Sequence, residues 1–479
     1  MGDPRGPLDQ RRAGVLLHVT SLPGGDLGDD AHRFVDFLRA AGCSVWQVLP
    51  LVPADEESGS PYQALSTMAG DPALIHRDAE AGRWLGDPRA LDDRRREELA
   101  TWCAEHADWL EPYVEFMALR ELHGGAPWQS WPRPLRDRDP EAVRAALAPV
   151  AARVDELRRE QWVFAVQWTR LREHAAAAGV LVFGDLPIFV SLDSADVWAS
   201  RDLFELDEDG RPTTVTGCPP DYFAADGQRW NNPHYDWAAM AADGYDWWRR
   251  RIARQRELFD LVRIDHFRGF EAAWHVPVDA PTARDGWWAA GPGPEILAAL
   301  VETAGPGTLV AEDLGVITPE VDALRTRFDL PGMKVLQFAF DGSADNPYLP
   351  HRHGERSVVY TGTHDNDTTV GWWSSLDEGT RDAVRRLLAD PGEEMPWALV
   401  RLALASTARL AVVPAQDLLG LGGESRMNTP GTDTGNWAWR APAGAFTPEL
   451  AARVRALVAD SDRLPDPGRQ GLSRRGYPR

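Results

Sequence analysis

Eight short apolar runs, separated by helix-like segments, restrict this sequence more than any other feature. They are Gly14 to His18, Val45 to Leu51, Val180 to Asp185, Leu261 to Asp265, Leu309 to Glu312, Lys334 to Phe340, Val358 to Thr361 and Ala411 to Gln416. Runs of this kind suit strands buried on both faces, which belong to parallel sheets covered by helices. Amphipathic helical patterns lie between several of them, at Ala31 to Ala41, Asp377 to Leu388 and Trp397 to Leu410. Another is opened by Thr318 as N-cap with Pro319 at the first helical position, and continues from Glu320 to Phe328. Proline fits there because its missing N–H would have had no partner in the first turn. Eight β/α units in order is the count of a TIM barrel. The expected fold class is therefore α/β, a TIM (β/α)8 barrel with inserted subdomains at the C-terminal face of the strands.

The alternation is irregular in two places. Residues 53–178 form a mostly helical insert after the second run, and residues 191–235 form a loop-rich insert after the third. Both belong to one barrel spanning residues 1–479. Loops that follow barrel strands rise from the face where active sites are built, so both inserts are expected to wall a groove. Residues 465–479, rich in Pro, Gly and Arg, read as a mobile tail.

The formal net charge of -22 argues against nucleic acid or an anionic membrane as a partner, because either would be repelled. Cys43, Cys103 and Cys218 are scattered and form no CxxC pair, so neither a disulfide framework nor a zinc site is indicated. A reducing cytoplasm fits that usage. The N-terminus has no apolar signal region, and no run approaches membrane-spanning length. A cytoplasmic location is expected. The 21 tryptophans are the compositional outlier. Indole faces stack on sugar rings, although most buried indoles serve packing.

Three of the runs end in, or lead into, carboxylates. The stretch Arg263-Ile264-Asp265-His266-Phe267-Arg268-Gly269 places Arg263 and Asp265 on one face of a strand, with Ile264 and His266 toward the helices. The arginine would keep the carboxylate ionised, as a nucleophile at neutral pH requires. Glu312 ends the apolar run Leu309-Val310-Ala311, a setting that favours the neutral form needed by a general acid, and Asp313 is expected to point the other way. Asp365, in Thr363-His364-Asp365-Asn366-Asp367, lacks the glycine and distal glutamate of an EF-hand, so a metal is not indicated. Asp365 and His364 are instead placed to hold sugar hydroxyls and to help distort the ring, and Asp185 is placed to bind the same ring. A single acidic residue at a strand end is more often a cap or a surface charge. Three such sites in one barrel reverse that preference and point to retaining glycoside chemistry, which pairs an ionised carboxylate with a protonated one. There is no GxSxG or HExxH, and Gly420-Leu421-Gly422-Gly423 has no Walker lysine.

Further motifs follow in order: Leu16-Leu17-His18-Val19-Thr20-Ser21-Leu22-Pro23-Gly24, Trp46-Gln47-Val48-Leu49-Pro50, Ser60-Pro61-Tyr62-Gln63, Gly184-Asp185-Leu186-Pro187-Ile188-Phe189-Val190, Asp196-Val197-Trp198, and Arg426-Met427-Asn428-Thr429-Pro430-Gly431 with Gly435-Asn436-Trp437. Together with the three carboxylate segments, this series resembles the 4-alpha-glucanotransferases of the amylomaltase, or disproportionating enzyme, type, which are barrel enzymes related to the alpha-amylases. The resemblance implies that Asp265 is the nucleophile, Glu312 the acid/base and Asp365 the transition-state stabiliser. It implies that Tyr62, Asp185, Arg263 and His364 surround the sugar whose bond is cut. Tyr222 and Phe223 match a flexible loop over the groove, Gln228 and Trp230 match acceptor-side residues, and Asn436 joins the substrate-binding set. No metal or organic cofactor is implied. The implied partners are maltooligosaccharides and alpha-1,4-glucans, and a monomer or weak homodimer is expected.

The pattern has departures. The loop after Pro23 is short, Val19 stands where the family has proline, and Trp230-Asn231-Asn232-Pro233 replaces Trp-Gly-Asn-Pro. The first strand starts near residue 14, as in the short bacterial form without an added N-terminal carbohydrate-binding domain. The implied activity is transfer of a glucan segment to the 4-hydroxyl of an acceptor glucan or glucose by retaining double displacement. An alpha-glucan hydrolase on the same barrel and a non-catalytic glucan-binding protein are the alternatives.

Overall fold

Each of the eight apolar runs contributes a strand to one parallel sheet in the computed structural model, which describes residues 6–55, 58–86, 91–220, 225–432 and 434–466. Twelve strands form among these residues: β1 (Arg12–Leu16), β2 (Val45–Gln47), β3 (Leu181–Pro187), β4 (Thr214–Cys218), β5 (Gln228–Pro233), β6 (Leu261–Asp265), β7 (Ala272–Pro277), β8 (Trp287–Ala290), β9 (Leu309–Ala311), β10 (Gly332–Val335), β11 (Ser357–Tyr360) and β12 (Leu410–Pro414). The parallel sheet runs β10-β11-β12-β1-β2-β3-β6-β9. Its two edges meet. The Ala311 N–H donates to the Pro331 carbonyl at 2.9 Å, and the Asp313 carboxylate accepts the Met333 N–H at 2.6 Å. A side chain here supplies a bond that a strand ladder supplies elsewhere, and the sheet curls into a nearly closed barrel. Asp313 also pairs with Arg325 at 3.1 Å, so it does face away from Glu312.

The seam explains where the sixth barrel strand begins. Its apolar run suggested Lys334 to Phe340, but β10 starts at Gly332, and Leu336–Phe338 already forms a 3-10 turn. Gly332 lies before the expected run, and this glycine is what lets Asp313 reach the backbone. A Cβ on Gly332 would lie 2.3 Å from an Asp313 carboxylate oxygen. Gly332→Ala is expected to disrupt this seam and lower the thermal midpoint by a few degrees, a loss of about 1–3 kcal/mol. A circular-dichroism melt with an unchanged midpoint would contradict that.

Alternation along the strands separates two cores. Leu16, Val45, Phe183, Leu261, Val310, Met333, Val358, Tyr360 and Val412 fill the lumen. Their neighbours Val15, Trp46, Val262, Ile264, Ala311, Val359 and Val413 join the helices in a larger outer core. This is the two-fold period expected of strands buried on both faces. Beneath the carboxyl ends of the strands, the Tyr360 hydroxyl donates to Gln47 Oε1 at 2.9 Å, which ties β11 to β2 across the lumen.

Residues 53–178 carry helices at Ala79–Gly86, Asp93–Glu105, Ala107–Leu122, Arg133–Arg136, Pro140–Leu147 and Ala151–Ala177. The last of these also packs on β3 and on the helix Asp29–Ala40, so it serves the barrel as well. Within 191–235, the expected loops include two strands. β4 and β5 join β7 and β8 in an antiparallel sheet of order β5-β4-β7-β8. β5, Gln228–Pro233, has little strand propensity of its own. It forms because β4 pairs with it, and β4 is held on its other edge by β7. Eleven of the 21 tryptophans are buried, which assigns most of that excess to packing. Among the described residues, no helix is long and apolar enough to cross a membrane.

Candidate active site

The carboxyl ends of β3, β6, β9 and β11 bring the sequence-predicted carboxylates to one mouth of the barrel. β3 and β6 pair with Asp185 opposite Arg263. Arg263 Nη1 donates to both Asp185 oxygens, at 2.8 and 2.7 Å, and its Nη2 pairs with Asp265 Oδ1 at 2.8 Å. One buried guanidinium thus holds two carboxylates from adjacent strands. Burial works against its charge, but Asp185 and Asp265 outweigh burial and keep Arg263 well above its ordinary value. Burial pushes the Asp185 carboxyl upward, and Arg263 opposes that shift. The Tyr62 hydroxyl, from the loop after β2, donates to Asp185 Oδ2 at 2.8 Å.

Glu312 lies one residue past β9, next to Asp265 in the register, since Ile264 is opposite Ala311. Its oxygens accept the backbone N–H groups of His266 at 2.7 Å and Leu314 at 2.8 Å. Burial pushes this carboxyl up to about 7, and the Asp265 charge adds to the effect, while Arg263 and the two N–H groups oppose it. Glu312 is thus a buried carboxyl beside Asp265 that holds its proton close to neutral pH, as a general acid requires.

Asp365 sits in the turn after β11. Its Oδ1 accepts Asn428 Nδ2 at 2.6 Å and lies 3.3 Å from His364 Nε2. The His364 ring stacks on Tyr62 with centroids 5.3 Å apart and planes at 14°, and Trp437 packs beside both. The turn itself is clasped from below by buried Asp417, which accepts the Thr361 hydroxyl at 2.6 Å and the Thr369 N–H and hydroxyl at 2.7 Å each. Asn428, Trp437 and Asp417 were not singled out from the sequence. The motif around Asn428 was legible, but its bond to Asp365 joins segments far apart in the chain.

The other predicted residues are less central. Gln228 Oε1 accepts the Trp230 indole N–H at 3.1 Å, and Trp230 stands edge-on to His266 with centroids 4.7 Å apart. Asn436 braces its own loop: it accepts the Thr429 N–H at 2.9 Å and donates to the Thr432 carbonyl at 2.8 Å. Tyr222 and Phe223 lie outside the described residues. Asn231, at the family's glycine position, has φ 62°. Asn is among the residues that best tolerate that left-handed conformation, so it fits the irregular stretch where β5 shifts register against β4. Among the described residues, no cluster of three or more His, Cys, Asp or Glu side chains is arranged to hold a metal ion.

Burial also sets the histidines. It pushes His18 and His234 down to about 3, and His266 and His275 down to about 4. Free histidine titrates near 6.5, so below that pH the unfolded chain takes up protons that the folded chain refuses. The stability these sites contribute is complete above about pH 6.5 and is lost progressively as pH falls toward 3–4. Burial raises the Glu312 and Asp196 carboxyls to about 7 and about 6, which acts in the opposite direction, so the histidine part is read by difference. His234→Gln is expected to make the urea midpoint less prone to fall between pH 7 and pH 4.5, and an unchanged pH dependence would contradict this reading.

A family model described as 4-alpha-glucanotransferase matches residues 17–91 and 85–445. The 4-alpha-glucanotransferase of Thermus thermophilus is 48% identical over 498 aligned positions, covering 95% of this chain and 99% of that protein. The chloroplastic/amyloplastic 4-alpha-glucanotransferase of Arabidopsis thaliana is 42% identical, covering 96% of this chain and 85% of that protein. Among solved structures, the amylomaltase from Streptococcus agalactiae in complex with acarbose matches with a TM-score of 0.91 and 32% identity, over 95% of this chain and all of that one. The chain belongs to the 4-alpha-glucanotransferase family, and its activity is glucan transglycosylation.

Proposed function

We propose that the chain moves a segment of an alpha-1,4-glucan, such as a maltooligosaccharide, to the 4-hydroxyl of a second glucan or of glucose. Asp265 is the nucleophile, Glu312 the acid/base and Asp365 the stabiliser of the charged transition state. The observation that carries this reading is the register of β6 against β9. Asp265 and Glu312 follow a paired couple of residues on adjacent strands. Such strands lie about 4.8 Å apart, and retaining enzymes hold their two carboxyls about 5 Å apart.

The steps balance without any further reactant. An Asp265 oxygen attacks the anomeric carbon while the Glu312 carboxyl gives its proton to the departing glycosidic oxygen, leaving a glycosyl ester on Asp265. The acceptor 4-hydroxyl then attacks the same carbon, passes its proton to Glu312, and frees Asp265. Arg263 holds Asp265 Oδ1, which leaves Oδ2 for the bond. Tyr62 and His364 stack into one aromatic wall suited to the apolar face of a pyranose. The loops after β2 and β3 wall the groove in which acceptor and water compete. Three free cysteines support a reducing, cytoplasmic setting.

Maltotriose separates the alternatives. Glucose together with oligomers longer than maltotriose is the expected result. Shorter products alone would mean that water is the acceptor, and no change would mean binding without catalysis.

A further inference from the structure

His266 is the residue of the opening motif that the mechanism leaves unused. It follows the nucleophile directly and has left-handed backbone angles, φ 52° and ψ 47°. That conformation is disfavoured for most residues with a side chain and persists where the surroundings impose it. Here it aims the His266 N–H at Glu312 Oε2, 2.7 Å away. The ring points the other way, wedged edge-on against Trp230 at 4.7 Å and beside Phe189 at 6.2 Å. Its Nε2 is buried with no hydrogen-bond partner among the described residues. Trp230 is in turn fixed to β5 and its surroundings, since its indole N–H donates to Gln228 and its carbonyl accepts Gln63 Nε2 at 3.3 Å. A continuous set of contacts runs from the antiparallel sheet to the carboxyl of Glu312.

We propose that His266 is a positioning residue: its left-handed turn holds an N–H on Glu312, and its ring, braced by Trp230, keeps that turn in place. The inference rests on Glu312 being the acid/base. The charged or titratable groups facing Glu312 are Arg263 and Asp265 from β6, His266 itself, and Tyr348 from the segment between β10 and β11. The imidazole stays neutral above about pH 4, held there by burial. A titration near neutrality therefore does not belong to the ring. An N–H bonded to a carboxylate favours the ionised form, so losing it raises the proton affinity of Glu312.

The test is the pH profile of kcat/KM for maltotriose transfer in a pair of variants. Valine is strongly disfavoured in the left-handed region, whereas asparagine tolerates it. His266→Val is expected to lower kcat at least several-fold with little change in KM, and to move the alkaline limb upward by about one pH unit, as loss of a charge-assisted hydrogen bond would. His266→Asn, which tolerates the left-handed turn but loses the ring that Trp230 braces, is expected to move the limb by clearly less than His266→Val does. A folded His266→Val protein with the wild-type limb overturns the proposal. If the valine variant does not fold, Trp230→Ala decides: removal of the brace is expected to shift the limb in the same direction by a smaller amount, and an unshifted limb overturns the proposal. Glu312→Gln separates this from the underlying assignment. If that variant keeps the alkaline limb, it is the acid/base reading that fails.

Discussion

Asp265→Ala is expected to reduce transfer from maltotriose on the order of 10^4-fold or more, the scale seen when a covalent nucleophile is removed. The folded state is expected to change little. Asp265 is about one-quarter exposed at the barrel mouth, and Arg263 keeps its two contacts to Asp185 when Asp265 is lost. Loss of activity with a near-native melt therefore separates chemistry from stability. A variant that still transferred glucan within tenfold of the wild-type rate would remove Asp265 from the nucleophile role.

The second large effect concerns Glu312. Its carboxyl, pushed up to about 7 by burial and by the Asp265 charge, must be protonated to release the leaving sugar. Above about pH 7, kcat/KM is expected to fall tenfold per pH unit, because the fraction of free enzyme carrying that proton falls tenfold per unit. Glu312→Gln is expected to lower transfer from ordinary glucans by about 10^2–10^4-fold and to abolish the alkaline limb. It is expected to spare the first step for a glycosyl fluoride, whose leaving group needs no proton. Equal loss on both donors would mean that Glu312 does something other than protonate the leaving oxygen.

Much of this was legible in the sequence, for identifiable reasons. The barrel strands are visible because each is an apolar run buried on both faces, and Arg263 with Asp265 is visible because side-chain alternation is a local property. The sixth strand begins two residues before its apolar run, because the missing side chain of Gly332 makes room for a non-local contact from Asp313. The antiparallel sheet was hidden because β5 is polar and its support is non-local: β4 lies between β5 and β7, and β7 comes after β6 in the chain. Contacts such as Asn428 with Asp365, or the Asp417 clasp on Thr361 and Thr369, join segments whose separation carries no periodic signal. The resemblance put Tyr62 and His364 around one sugar, but the stacking of their rings was not legible. Nothing in the local pattern of either loop brings the two rings together.

The central claim is a covalent glycosyl bond to Asp265, and trapping tests it most directly. The Glu312→Gln protein, given a glycosyl fluoride donor and little acceptor, is expected to form the ester and release fluoride but to break the ester down slowly, because no base remains to activate the acceptor. Peptide mass spectrometry after acid quench is then predicted to find one added glycosyl mass on the peptide containing Asp265, and none on peptides containing Asp185 or Asp365. Fluoride release with no adduct at any quench time, or an adduct on a carboxylate other than Asp265, would contradict the account.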